Sequence, residues 1–101
     1  MDPEGLLEFD ISDVVVSTTG KDCGKLFYVI EADDLYLMLV NGKDRKLDKP
    51  KRKKRKHTNK VLRSETRVAE KIRSGDKVLD SELRRDLAYL GREMLTNNLG
   101  G

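Results

Sequence analysis

The feature that most restricts how this chain can fold is a run of like charges at residues 49–56, where seven of eight side chains are lysine or arginine. Such a run repels itself and stays extended, and Pro50 lacks the amide hydrogen that a central strand must donate. Across residues 43–60, eleven Lys and Arg stand against two Asp, a local charge of +9; since the whole chain carries +3, the rest carries −6. We expect this basic region, residues 43–60, to be a surface loop that meets a polyanion.

Length and composition exclude several classes of protein. A chain of 101 residues has room for one domain with a small core. Its single cysteine, Cys23, cannot form an internal disulfide, and with His57 it falls short of the four ligands of a structural zinc site. No apolar run approaches the roughly 18 residues of a membrane span, and the N-terminus lacks the order of a secretory signal. The sequence therefore predicts a cytoplasmic protein without cofactor, metal or membrane partner.

After an N-terminal arm of residues 1–9, β-branched and aromatic runs alternate with glycine and aspartate turns, which predicts a β domain over residues 10–62. Its five strands are expected at residues 14–19, 26–30, 35–40, 45–47 and 57–62. Asn41 and Gly42 form a strong hairpin signal after the third strand. The second and third strands are apolar along their whole length, so periodicity does not say which face lies inside.

Beyond residue 62 the pattern changes, and residues 63–96 are expected to form a C-terminal extension of one or two short α-helices. Ser64 is the predicted N-cap of a first helix that ends at Gly75, and Asp80 or Ser81 caps a second. The second helix carries an apolar stripe of Leu83, Leu87, Leu90 and Met94. We expect this stripe to pack against the sheet or the first helix, with a partner-binding surface as the alternative. Residues 97–101 are predicted to be a disordered tail.

The region of residues 14–30 contains a strand of valines, a Gly-basic-Asp-x-Gly turn at residues 20–24 and an apolar strand. In this combination it resembles the KOW motif of ribosomal proteins and transcription elongation factors. Together with the basic region, residues 10–62 look like small bacterial KOW-domain RNA-binding proteins, which are similar to a large-subunit ribosomal protein of archaea and eukaryotes. Many relatives have Gly-Asp where this chain has Ser12-Asp13. The resemblance implies a mainly β fold, a five-stranded SH3-like (KOW) barrel whose loops contact RNA.

The turn at residues 20–24, here named the glycine turn, and the basic region both suit phosphate binding. Gly24 can adopt a positive φ and lets a phosphate approach the backbone, while Lys21 and Lys25 flank it. Cations of the basic region release counterions from a polyanion and contact its backbone rather than its bases. The candidate RNA-binding residues are Lys21, Gly24, Lys25, Lys43, Arg45, Lys46, Lys49, Lys51, Arg52, Lys53, Lys54, Arg55, Lys56 and His57. The alternatives are a glycine that only shapes the turn and a solvated charge run or nuclear-localisation signal.

Three aromatic side chains in the predicted strands are able to stack on unpaired bases. For Phe27 and Tyr28 the apolar surroundings favour the core instead, whereas Tyr36 suits either position.

No nucleophile–base arrangement or phosphate loop is present in the sequence, so we expect no enzyme and no small-molecule substrate. The predicted function is non-catalytic binding of RNA, with ribosomal RNA and the large ribosomal subunit as partners. The alternatives are a DNA- or polymerase-associated elongation or chromatin factor, and a protein-interaction SH3-like module. The absence of Trp and the few aromatic residues disfavour the latter.

Overall fold

The computed structural model describes the backbone of residues 9–100 and the side chains of residues 9–95. The described strands form one antiparallel sheet in the order β4-β3-β2-β1-β5. They are β1 (Asp13–Ser17), β2 (Leu26–Ala32), β3 (Tyr36–Val40), β4 (Lys51–Lys54) and β5 (Thr58–Arg63). Two α-helices follow, α1 (Arg67–Ser74) and α2 (Asp80–Gly100). The prediction of a mainly β fold with five strands and C-terminal helices is confirmed; residues 1–8 of the predicted arm lie outside the described residues.

Strands β2 and β3 contribute buried side chains to both faces of the sheet, which explains why residues 26–30 and 36–40 are apolar without alternation. One cluster of buried side chains consists of Val15, Phe27, Val29, Leu37 and Leu39. A second cluster consists of Val14, Tyr28 and Val40 from the sheet, Val68 and Ala69 from α1, and Leu83, Leu87 and Leu90 from α2. Successive strand residues point to opposite faces, so Phe27 and Tyr28 enter different clusters. Both aromatics are therefore core residues, and the stripe of α2 packs on the sheet, as predicted.

The predicted fourth strand at residues 45–47 is wrong, because β4 lies inside the basic region at Lys51–Lys54. β4 is an edge strand of the described sheet, so its charged side chains can reach water. Pro50 precedes the strand, and its missing amide hydrogen therefore removes no hydrogen bond between strands. Lys53 lies opposite Leu37 and is only 8% exposed. Its ammonium donates to the carbonyl oxygen of Thr19 at 2.8 Å, so the aliphatic stem is buried while the charge has a partner. Part of the expected basic loop is therefore a strand.

The turn predicted at Asn41 and Gly42 forms, but it does not close a short hairpin. The Asn41 side-chain oxygen accepts from the amides of Lys43 and Arg45 at 2.9 and 3.0 Å, which shapes a local turn. Gly42 has φ 75° and lies against α2, so that a Cβ there would collide with the carbonyl oxygen of Asp80. The Asp80 carboxylate also accepts from the amide of Leu47 at 2.9 Å. The start of α2 therefore holds this loop, and the chain returns to the sheet only at β4.

The helix boundaries differ in part from the sequence pattern. The N-cap of α1 is Thr66, whose hydroxyl accepts from the amide of Ala69 at 3.2 Å, and not Ser64, which is buried. Gly75 ends α1 in the left-handed conformation, as predicted. α2 has 21 residues and its helical backbone continues through residues 97–100, since no Gly or Pro in 92–99 interrupts it. Among the described helices, none is long and apolar enough to cross a membrane.

Candidate nucleic-acid interface

The glycine turn joins β1 to β2 and begins with a 3₁₀ helix at Gly20–Asp22. Gly24 has φ 87°, which confirms the expected positive value, and its amide donates to the carbonyl oxygen of Ser17 at 2.8 Å. No heavy atom lies within 4 Å of the position that a Cβ on Gly24 would take. Glycine is thus favoured here by backbone conformation, and the space beside the turn is open to a ligand.

Three polar contacts connect the glycine turn and its flanks to the basic region, although the two are distant in sequence. The buried Asp22 carboxylate pairs with Arg45 at 3.0 Å. Lys25 pairs with Asp44 at 2.7 Å, and this hydrogen bond lowers the pKa of the Asp44 carboxyl. The third contact is the Lys53–Thr19 bond described above. The structure therefore brings together the two segments that the sequence predicted to contact phosphate.

Four of the cations that the sequence predicted to contact phosphate form contacts within the protein. Lys53 is the least exposed of them, and its ammonium would have to give up the bond to the Thr19 carbonyl oxygen in order to meet a phosphate. Arg45 and Lys25 hold the acids of the preceding paragraph. The Arg55 guanidinium donates to the carbonyl oxygens of Asp33 and Asp34 at 3.1 and 3.4 Å. Their charges are used in contacts within the protein, so these side chains order the surface more than they offer positive charge to a ligand.

The remaining cations supply the accessible charge. Six exposed lysines form no side-chain hydrogen bond or ion pair with the described part of the chain: Lys21, Lys43, Lys46, Lys49, Lys54 and Lys56. Lys51 and His57 are half-buried. Along β4 the direction alternates, so Arg52 and Lys54 face outward while Lys51 and Lys53 face inward. Flexible ammonium groups of this kind suit phosphate oxygens without reading base edges.

Sequence reasoning did not identify the two acids that order this surface, Asp22 and Asp44. Asp44 lies within the basic region and Asp22 lies between Lys21 and Lys25, and these positions were the only signal available. Their partners, Arg45 and Lys25, are separated from them by 23 and 19 residues, so the pairing depends on the fold.

No protein-family model matches the chain, and no curated protein matches it either. Among residues 9–95, no group of three or more His, Cys, Asp or Glu side chains is placed to hold a metal ion.

Proposed function

We propose that this protein binds RNA without catalysis, through the glycine turn and the exposed lysines of the basic region. The observation that carries this proposal is the set of contacts Asp22–Arg45, Lys25–Asp44 and Lys53–Thr19, which join turn and basic region into one surface. Asp22 and Asp44 pair with Arg45 and Lys25, while six lysines remain exposed without such partners among the described residues. Such a surface binds a polyanion by displacing its counterions.

An SH3-like barrel is the form of sheet that best accounts for the connection between β4 and β5. These strands are the two edges of the sheet, yet only Arg55–His57 separates them. In a flat sheet four strand spacings would place Lys54 and Thr58 at least roughly 19 Å apart, whereas four residues span at most roughly 14 Å. The sheet must therefore curl, which supports a barrel around the cluster of Val15, Phe27 and their neighbours.

The preference for RNA over DNA follows from the resemblance to KOW proteins. In support of that resemblance, Ser12 stands where many relatives have glycine, and its φ of 77° is a conformation that glycine adopts readily. The Arg73 guanidinium donates to the Ser12 hydroxyl at 2.8 Å and holds this turn. The same resemblance makes ribosomal RNA, the large ribosomal subunit and the cytoplasm the proposed partners and location.

Competition binding tests the proposal directly. Labelled ribosomal RNA fragments and duplex DNA of equal length are titrated with the protein at several salt concentrations. We expect tighter binding to RNA, with a log–log salt slope of roughly −4 to −5 if about six phosphates are engaged. Equal affinity for DNA would favour a DNA-associated factor, and a slope near zero would contradict phosphate binding altogether. Gradient sedimentation of a cell extract then asks whether the protein travels with the large subunit.

A further inference from the structure

A groove beside β4 is left unused by the phosphate contacts proposed above. It has a volume of about 490 Å³, and Ile11, Glu31, Met38, Tyr36 and Arg52 are among its lining residues. Tyr36, Met38 and Val40 share one face of β3, but the helices cover only the Val40 end. Tyr36 and Met38 therefore remain partly exposed, and the groove is an open part of a face that is elsewhere core.

Arg52 forms a flat, fixed surface in this groove. Its guanidinium carbon lies 3.7 Å from the centroid of the Tyr36 ring. The strand register places Arg52 opposite Met38 and Lys54 opposite Tyr36, so the guanidinium reaches the ring diagonally. Because Arg52 is exposed, the side of the guanidinium away from the ring is available to a ligand. Guanidinium planes and aromatic rings are the surfaces on which proteins stack unpaired RNA bases.

Glu31 supplies the groove with an available hydrogen-bond acceptor. It is exposed and forms no hydrogen bond or ion pair through its side chain with residues 9–95. The neighbouring Asp33 differs, because its carboxylate accepts from the amides of Tyr36 and Leu35 at 2.7 and 2.9 Å, and these bonds lower its pKa. The two oxygens of a carboxylate accept two adjacent N–H groups. Guanine alone among the RNA bases presents two adjacent donors on its Watson–Crick edge.

We propose that the groove holds one unpaired guanine of the bound RNA, stacked on the Arg52 guanidinium and hydrogen-bonded to Glu31. This inference rests on the proposed function and adds base recognition to it. The exposed Lys54 lies on the same face of β4 as Arg52 and is placed to meet the phosphates that flank the base.

Bulged hairpins test the guanine site. Four labelled RNA hairpins share one stem and carry a bulged guanosine, a bulged inosine, a bulged adenosine or no bulge. Because inosine lacks only the 2-amino group, it removes one of the two hydrogen bonds to Glu31. We expect the guanosine hairpin to bind roughly tenfold more tightly than the others at equal salt. Equal affinity for all four overturns the guanine site and leaves RNA binding intact, whereas no binding to any hairpin overturns both proposals.

Two variants identify the groups responsible. Arg52→Lys keeps the charge but removes the planar guanidinium, and Glu31→Gln keeps the shape but replaces one acceptor with a donor. Each is expected to reduce the guanosine preference, the ratio of the affinities for the guanosine and the unbulged hairpins, to within about twofold. As a control, Lys56→Gln should make the log–log salt slope shallower by about one and leave the preference for the guanosine hairpin unchanged. If both groove variants still prefer the guanosine hairpin as wild type does, the guanine site is overturned.

Discussion

The helix-covered face of the sheet and the basic region are held together by different interactions. On the helix-covered face, Leu83 is fully buried and the Tyr28 hydroxyl donates to the Asp86 carboxylate. Where the basic region meets the glycine turn, the Lys25–Asp44 pair joins side chains that are 44% and 40% exposed. A buried leucine contributes roughly 1.5–3 kcal/mol, whereas an exposed ion pair contributes roughly 0–1 kcal/mol. The helix-covered face therefore contributes more to stability than the basic region does, and the lysines of the basic region can serve binding.

Two glycines with similar backbone conformations test this difference most strongly. Gly24 has φ 87° beside open space, and Gly42 has φ 75° against α2, where a Cβ would also lie 3.0 Å from the Cβ of Leu83. Gly24→Ala should lower the free energy of unfolding by about 1–2 kcal/mol, because only the backbone is strained. Gly42→Ala adds a collision with α2 and should cost about 3–5 kcal/mol. Urea denaturation followed by circular dichroism measures both; equal losses would show that α2 does not hold the loop.

The polar network under the helices is the next target. The Tyr28 hydroxyl also bonds to Ser64 at 2.8 Å and to Thr66 at 3.2 Å, so it links the sheet to the start of α1 as well as to α2. Tyr28→Phe removes the partner that Ser64, Thr66 and Asp86 share and leaves each with fewer hydrogen bonds, which should cost about 1–3 kcal/mol of unfolding free energy. Ser74→Ala on the exposed side of α1 is the control and should change stability little. A Tyr28→Phe protein as stable as the control would contradict a structural role for the network.

The same network predicts a dependence on alkaline pH. Burial, together with the hydrogen bond to Asp86, raises the pKa of Tyr28 from 10.0 to about 12. The folded state holds the phenolic proton more tightly than the unfolded chain, so this stabilisation is complete below pH 10 and is lost as the pH rises through 12. The difference in unfolding free energy between wild type and Tyr28→Phe should therefore narrow over that interval. Absorbance titration of the tyrosines should show one component near pH 12 that Tyr28→Phe lacks.

Two adjacent lysines of β4 separate structure from binding within the basic region itself. Lys53→Ala removes a buried stem and its bond to Thr19, and should cost about 1–2 kcal/mol of unfolding free energy with an unchanged RNA salt slope per folded molecule. Lys54→Ala should leave stability within about 0.5 kcal/mol and make the salt slope shallower by about one. Thermal melting and salt-dependent RNA titration of both variants provide the measurements. If Lys54→Ala destabilises the protein and Lys53→Ala makes the salt slope shallower instead, Lys54 is the buried side chain and Lys53 is the exposed one.

Local chemistry made several features predictable from sequence. The positive φ of Gly24 follows from turn composition, and the packing of α2 follows from its stripe of leucines. The sequence did not show which side chains of β2 and β3 point to which face of the sheet. Both faces are buried along most of these strands, so polar and apolar residues do not alternate. β4 escaped detection because alternation cannot be seen where almost every residue is cationic, and its edge position is a property of the whole sheet.

The candidate interface was predictable in outline and not in detail. Charge density identified the basic region, and the glycine pattern identified the turn. Sequence could not show that Lys53 is buried, or that Arg45 belongs to Asp22, since these contacts join segments 34 and 23 residues apart. Which cations remain accessible to a ligand is therefore decided by tertiary contacts.

The exposed lysines should show the smallest effect on folding and a large effect on binding. Replacing Lys21, Lys43, Lys46, Lys49, Lys54 and Lys56 with glutamine removes like charges that have no partner within the described chain, so the melting temperature should stay within a few degrees. RNA affinity should fall steeply, and the log–log salt slope should become shallower than about −2, because few phosphate contacts remain. The matched control replaces the same six lysines with arginine and should keep both the affinity and the slope, since charge is retained.

If the glutamine variant binds RNA as wild type does, the phosphates lie on another surface. If it unfolds while the arginine variant is stable, the basic region contributes to folding through its charge, and the division between a stabilising face and a binding region does not hold.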